Sequence, residues 1–292
     1  MRIVVTGREG QLARSLAERL PAHQLTFASR PEVDLTRPGE IADLIVEARP
    51  DCVINAAAYT AVDQAESEEA VALRVNAGAA GEAAEAAAQV GAPIIHVSTD
   101  YVFDGSRSGP YLEADTPQPQ TAYGRTKLAG EKAVRAGNPR HLIIRTAWVF
   151  SPFGRNFVKT MLKAARERNE LTVVADQRGN PTSALDLADG IAAAIASIEG
   201  GSSNKAWGTY HLAGSGETSW CGFAAAVMEE AESLGLPSAA VRPIRTADWP
   251  TPARRPANSV LDSGLFARTF SFVMPAWQSS LRQVVRRLAN EP

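Results

Sequence analysis

Tyr123 and Lys127 stand four residues apart in AYGRTKLAGE (122–131), a stretch of helical composition, so both side chains leave one helix face and can reach a shared site. A free tyrosine phenol has a pKa of about 10, which makes it a sluggish proton donor at neutral pH unless a nearby cation favours the phenolate. Lys127 can supply that charge. Alone, the spacing is unspecific, because such pairs also occur as plain helix-surface neighbours. Ser98 and Thr99 add weight. They end the apolar run PIIHVS (93–98), and open α/β sheets bind ligands at the carboxyl ends of their strands. A Thr99 hydroxyl can hold a carbonyl oxygen beside the phenol, so an alkoxide developing as hydride arrives meets oriented donors. Thr99, Tyr123 and Lys127 are the catalytic candidates.

Hydride chemistry needs a dinucleotide, and TGREGQLA sets Gly7 and Gly10 between the first apolar run and the first amphipathic stretch. Glycine there lets the backbone approach a pyrophosphate, and helix N–H groups can face its charge. Two glycines three apart are a weak signal; their position between a strand and a helix carries more. Ala13 stands where a third glycine often sits, a place that serves helix-to-strand packing. An acidic residue at the end of the second strand would hold the ribose hydroxyl of NAD, whereas an arginine accommodates a 2′-phosphate. Ser29 and Arg30 occupy that end, so Arg30 points to NADPH, with NADH left open.

These residues must be positioned by alternating strands and crossover helices. RIVVT opens the chain, followed by a helix over 11–20, a strand over 25–29, a helix from Pro38 to Arg49 and the strand CVIN (52–55). An Ala/Glu-rich helix is expected over 66–89, then the strand 93–98, a Gly/Pro-rich loop, a helix through Lys127 to Arg135, and the strand HLIIR (141–145). The near-continuous apolar strands imply burial on both faces. After Trp148 the pattern loosens, with helices expected around 156–168 and 184–198. The expected fold is α/β: a Rossmann-type doubly wound parallel sheet with a second, smaller α/β substrate domain. The cofactor domain takes 1–147 and about 181–212, and the nucleotide-sugar domain about 148–180 and 213–292.

Composition narrows the function. With 30 Lys and Arg against 32 Asp and Glu, scattered along the chain, there is no footprint for a nucleic-acid backbone, and small molecules are the expected partners. Two cysteines, Cys52 and Cys221, make no disulfide framework and no CxxC pair. MRIVVTG reads as a core strand rather than a charged leader before an apolar stretch, and no run approaches a membrane span, so a cytoplasmic setting is expected. His23, His96, His141 and His211 lack metal-site spacing and read as structural. Trp207, Trp220, Trp249 and Trp277 are expected to pack the smaller region.

Taken with STDYVFDG (98–105), INAAAYTAVDQAE (54–66), RTAWVF (145–150), GNPT (179–182) and PTPARRPANSVLD (250–262), these motifs make nearly the whole chain resemble one family. It is the dTDP-4-dehydrorhamnose reductase family of extended short-chain dehydrogenases/reductases. The resemblance implies NAD(P)H-dependent reduction of the 4-keto group of dTDP-4-dehydro-β-L-rhamnose to dTDP-L-rhamnose, the last step towards an activated sugar for cell-surface polysaccharides. It implies Tyr123 as proton donor, Lys127 on the nicotinamide ribose and Thr99 on the ketone. Gly10, Gln11 and Leu12 would lie along the pyrophosphate, Asp34 and Leu35 near the adenine, and Ala56, Ala57 and Ala58 along the cofactor. Thr60, Val62, Asp100, Tyr101 and Trp148 would border the sugar, with Asn156, Arg178 and Arg255 as nucleotide contacts. Some members of the family dimerise around magnesium held by two glutamates; the matching places read Ser15 and Leu185, so no metal and a monomer are expected.

Three alternatives stay open. One is a reductase of another nucleotide-4-ketosugar. A second is an epimerase or dehydratase of the same superfamily, although a dehydratase would carry a glutamate where Tyr101 stands. The third is a regulatory subunit that binds cofactor without turnover, as in the β subunit of methionine adenosyltransferase, and the intact Thr99, Tyr123 and Lys127 argue against it.

Overall fold

The structure is a computed structural model and describes residues 1–200 and 206–290. In chain order the first half runs β1 (Arg2–Thr6), α1 (Gln11–Arg19), β2 (Gln24–Ala28), α2 (Glu40–Ala48), β3 (Cys52–Asn55), α3 (Val62–Ala65), α4 (Glu69–Leu73), α5 (Ala79–Gln89), β4 (Ile94–Thr99), α6 (Ala122–Gly137) and β5 (His141–Thr146). The second half adds β6 (Val149–Phe150), α7 (Phe157–Ala165), β7 (Glu170–Val174), β8 (Arg178–Gly179), β9 (Thr182–Ser183), α8 (Ala184–Glu199), β10 (Gly208–His211), β11 (Thr218–Ser219), α9 (Trp220–Ser233), β12 (Ala240–Ile244), α10 (Gly264–Phe270) and α11 (Trp277–Asn290).

Six strands form one sheet in the order β2-β1-β3-β4-β5-β10, with every neighbouring pair parallel. Side chains alternate between its faces with the period of two that a strand imposes. Ile3, Val5, Ile54, Ile95, Leu142 and Ile144 meet α1, α8 and α10 on one side. Val4, Val53, Ile94 and Ile143 meet α2, α5 and Val134 of α6 on the other. Covered on both faces, β3 and β5 have no exposed residue. The sheet is thus of the expected doubly wound Rossmann type. From β1 the chain turns to β2 on one side and to β3 on the other, which opens a crevice at the carboxyl ends of the strands.

The helix expected over 66–89 is interrupted. Between α4 and α5 lies a π turn, Arg74–Gly78. Its Asn76 is buried: the side-chain oxygen accepts the Tyr59 N–H at 2.8 Å, while Nδ2 donates to the Tyr59 carbonyl and to Thr126 Oγ1. Satisfying these loop groups needs the extra residue of a π turn, which apolar periodicity does not reveal.

A second core gathers Phe150, Val158, Leu171, Phe223, Trp277 and Val284 beside the short parallel pair β7–β12. Phe266, Phe270 and Met274, from the later part of the chain, pack instead on the main sheet. Residues 201–205 and 291–292, which fall inside the two ranges expected for the domains, lie outside the described residues. Of the tryptophans expected here, Trp220 and Trp277 do pack this core. Trp207 packs against the main sheet, and Trp249 is 59% exposed, since it follows a short surface turn. Among the described residues no helix is long and apolar enough to cross a membrane.

Candidate active site

The turn after β1 is shaped by Gly7, whose φ of +85° lies in the left-handed region and whose N–H donates to Ala28 O at 2.7 Å. Thr6 ties the ends of β1 and β3 together: its hydroxyl donates to Asn55 Oδ1 at 2.7 Å and accepts the Ala57 N–H at 2.9 Å. Gly10 begins α1 without a side-chain cap, so the first-turn N–H groups have no protein acceptor from that position. Gly7, Gly10, Gln11 and Leu12 line one side of a cavity of about 860 Å³. Arg30, Asp34, Leu35, Ala56, Ala57 and Ala58 line it further along, towards β2 and β3. Two hydrogen bonds from Thr36 hold the Asp34 carboxyl below its usual range.

Thr99, Tyr123 and Lys127 border the same cavity. Thr121 starts α6 by accepting the Gly124 N–H at 3.0 Å, and Glu66 accepts the Ala122 N–H at 2.9 Å, so the turn carrying Tyr123 is anchored twice. Tyr123, partly exposed on its cavity side, hydrogen-bonds Thr99. Burial pushes its phenol pKa up, the Thr99 bond opposes this, and the Asp100 charge adds to the rise. Lys127 is 2% exposed, and its ammonium donates to Val97 O at 2.7 Å, which directs it at the strand bearing Thr99. Burial lowers its pKa to about 8, with the Glu131 carboxylate pulling the other way.

Glu131 and Ser98 explain how strand and helix stay in register. Ser98 Oγ donates to Glu131 Oε1 at 2.6 Å, and the carboxylate takes two bonds from Arg145, at 2.8 and 2.7 Å, within the fully buried layer below the cavity. Such a doubly bonded buried pair fixes geometry.

On the remaining wall stand Thr60, Val62, Asp100, Tyr101 and Trp148. Trp148 has a φ of +49°, unusual for a side chain of its size. It stacks on Trp220 at 3.6 Å between ring centroids, its indole donates to Ser259 Oγ at 3.1 Å, and a Cβ on Gly179 would run into it. Three expected nucleotide contacts lie outside this wall. Asn156 caps α7 and donates to the carbonyls of Ser151 and Phe153, Arg178 is ion-paired with Glu217, and Arg255 is held by Asp63 at 2.7 Å. Arg255 borders a second, smaller cavity that meets the first at Tyr101. Sequence reasoning missed Arg8 and Arg155, two cations on the main cavity's wall. Arg8 sits inside TGREG and was legible; Arg155 follows a turn whose docking on α1 depends on Gln11, which accepts from Ser151 at 2.8 Å. Among the described residues no group of three His, Cys, Asp or Glu side chains could hold a metal.

Against known proteins, the model of the RmlD substrate binding domain family matches residues 1–290. A dTDP-4-dehydrorhamnose reductase of Sinorhizobium fredii is 46% identical over 292 residues, covering 100% of this chain and 99% of its own. The crystal structure of a dTDP-4-dehydrorhamnose reductase from Clostridium acetobutylicum superimposes with a TM-score of 0.91 at 37% identity, covering 99% of each chain. A reductase of the same name from Bacillus anthracis, solved in complex with NADP, gives 0.90 at 36%, covering 98% of this chain and 99% of that one. With both cores matched end to end, this chain belongs to the RmlD substrate binding domain family.

Proposed function

We propose that the chain is an NADPH-dependent reductase of the 4-keto group of dTDP-4-dehydro-β-L-rhamnose, yielding dTDP-L-rhamnose, with NADH as a possible substitute. The observation that carries this reading is the meeting of Thr99, Tyr123 and Lys127 with the Gly7–Leu12 turn on one cavity, in a chain 46% identical to a reductase of that name. The left-handed Gly7 and the uncapped start of α1 fit a dinucleotide pyrophosphate, and Arg30 with Ser29 suits a 2′-phosphate. When bound, the cofactor supplies the hydride. Lys127 holds the nicotinamide ribose, Thr99 orients the ketone and Tyr123 gives its proton to the oxygen as charge develops there. Thr60, Val62, Asp100, Tyr101 and Trp148 border the sugar, and Arg255, across Tyr101, lies on the nucleotide side.

The two-part division of the chain follows from this reading: 1–147 and 181–212 hold the cofactor, 148–180 and 213–292 the nucleotide sugar. The setting is the cytoplasm and the working unit a monomer. Ser15 and Leu185 are buried, 0% and 7% exposed, so neither place presents a metal ligand to a second copy. Light scattering should return the mass of one chain with magnesium and with EDTA; a dimer that EDTA dissociates overturns the monomer. For the activity, purified protein is mixed with dTDP-4-dehydrorhamnose generated in situ and NADPH absorbance is followed. NADPH oxidation matched by dTDP-rhamnose formation is expected, whereas cofactor binding without oxidation refutes the reading.

A further inference from the structure

Asp100 is 3% exposed and lines the cavity, yet its Oδ2 has no hydrogen-bond partner. Its neighbour Ser259 also favours the anion, but that hydroxyl donates to Arg178 O at 3.1 Å and accepts from the Trp148 indole, so its single hydrogen is shared. The other oxygen, Oδ1, accepts the Thr99 hydroxyl at 2.8 Å. Thr99 Oγ1 also accepts the Tyr101 N–H at 3.2 Å, and Tyr123 forms the next bond in the chain.

A hydroxyl has one hydrogen and two acceptor positions. With Asp100 ionised, the single hydrogen of Thr99 is committed to the carboxylate, and Tyr123 can bond Thr99 only by donating to it. Both hydroxyls then point away from a substrate carbonyl. With Asp100 neutral, the acid donates to Thr99, the Thr99 hydrogen is released, and the Tyr123 hydrogen is free as well.

We propose that Asp100 is a positioning residue whose proton sets the direction of the Thr99–Tyr123 hydrogen-bond chain, a neutral carboxyl turning both hydroxyls towards the substrate carbonyl and an ionised one turning both away. The inference rests on the reductase reading given above. Two further observations support it. Burial pushes the Asp100 pKa up to about 6, against the Thr99 and Ser259 hydroxyls and backbone N–H groups that favour the anion. The Asp100 charge raises the pKa of Tyr123, so the neutral acid also leaves the phenol the better proton donor. Other titratable or charged groups around the site are the phenols of Tyr101 and Tyr123, the Arg255–Asp63 ion pair beyond Tyr101, and Lys127, whose ammonium is on Val97 O. Ligands filling the cavity add to the desolvation and raise the turning point further.

The test is kcat of the full chain between pH 5 and 7.5, below the pKa of about 8 that burial gives Lys127, with saturating NADPH and dTDP-4-dehydrorhamnose, for the unsubstituted protein and for Asp100→Asn. The amide can donate to Thr99 at every pH and so mimics the neutral acid. Expected is a fall approaching about tenfold per pH unit above a turning point at or above pH 6 in the unsubstituted protein, and its loss in Asp100→Asn at whatever level that variant works. A flat profile in the unsubstituted protein, or the same fall in the variant, overturns the proposal. The first of these needs no variant to fold. If the unsubstituted protein does not turn over this sugar, the functional reading fails instead. The carboxyl infrared band of the NADP-loaded protein then decides the inference: loss of a protonated-acid band in Asp100→Asn at pH 5 supports it, and an unchanged spectrum rejects it.

Discussion

The case for proton transfer rests on the phenol oxygen of Tyr123. Tyr123→Phe removes that oxygen and leaves the ring contact with Tyr101, 5.5 Å between centroids, in place. Turnover is expected to fall by roughly 10²- to 10⁴-fold, while NADPH affinity, read by quenching of protein fluorescence, stays within about threefold; unchanged turnover removes Tyr123 from the mechanism. Lys127 makes a different prediction, because its cation is held in a buried place. Its pKa drops from an ordinary value of about 10.4 to about 8 in the folded chain. Between these two values the unfolded chain binds the extra proton, so this group makes stability rise with pH across that window. Urea midpoints measured from pH 8 to 9.5 should show a positive slope that Lys127→Met reduces; an equal slope in both proteins rejects the buried-cation account. Arg155, unlike Arg8 in TGREG, marks the limit of residue-level reading. Nothing in its spacing announces that a folded turn brings it to the cavity.

At the level of elements, α6 must lie close enough to β4 and to the π turn for Tyr123 and Lys127 to meet Thr99. Two glycines permit this. A Cβ on Gly124 would strike the backbone oxygen of Tyr101, and one on Gly130 the backbone oxygen of Asn76. Alanine normally strengthens a helix by about 1 kcal/mol over glycine, but here the neighbour is main chain and cannot swing aside. Gly130→Ala is therefore expected to destabilise the fold by about 1–3 kcal/mol, read from the urea midpoint at constant m-value, and a more stable variant contradicts the close packing. Most elements around the site were legible in the sequence. CVIN lies on β3, IIHVST shifts the expected 93–98 strand by one residue, and the helix through Lys127 differs only at its ends, because burial on both faces makes these strands apolar throughout. The break at 74–78 was not legible. It answers to Tyr59 and Thr126, which are distant in sequence, while the stretch from 69 to 89 reads as one Ala/Glu-rich helix apart from Asn76, Gly78 and Gly81. The expected grouping of tryptophans held for Trp220 and Trp277 and failed for Trp207 and Trp249, because composition does not say where, or whether, an aromatic residue packs.

Across the whole molecule, the cavity is where its two cores meet. Gln11 at the start of α1 bonds Ser151 and the Val149 carbonyl, the guanidinium groups of Arg14 and Arg287 both lie over the Phe153 ring, and Arg287 reaches Glu18 from α11. The loop of 151–156 is therefore fastened both to the helix that would face the pyrophosphate and to the last helix of the chain. A ligand seated on the Gly7–Leu12 turn touches this junction and so should stabilise more than the local turn. Mass action gives the size: NADP⁺ at 100 times its dissociation constant is expected to add about 2.7 kcal/mol to the unfolding free energy. Because α1 and α11 are linked through Phe153, calorimetry should show both cores shifting in one transition. If only part of the chain gains stability, with a second transition left at its ligand-free temperature, the two cores unfold independently and the junction does not transmit binding. If NADP⁺ gives no shift while a dTDP ligand does, the cavity is a nucleotide-sugar site only, and the reductase reading loses its cofactor.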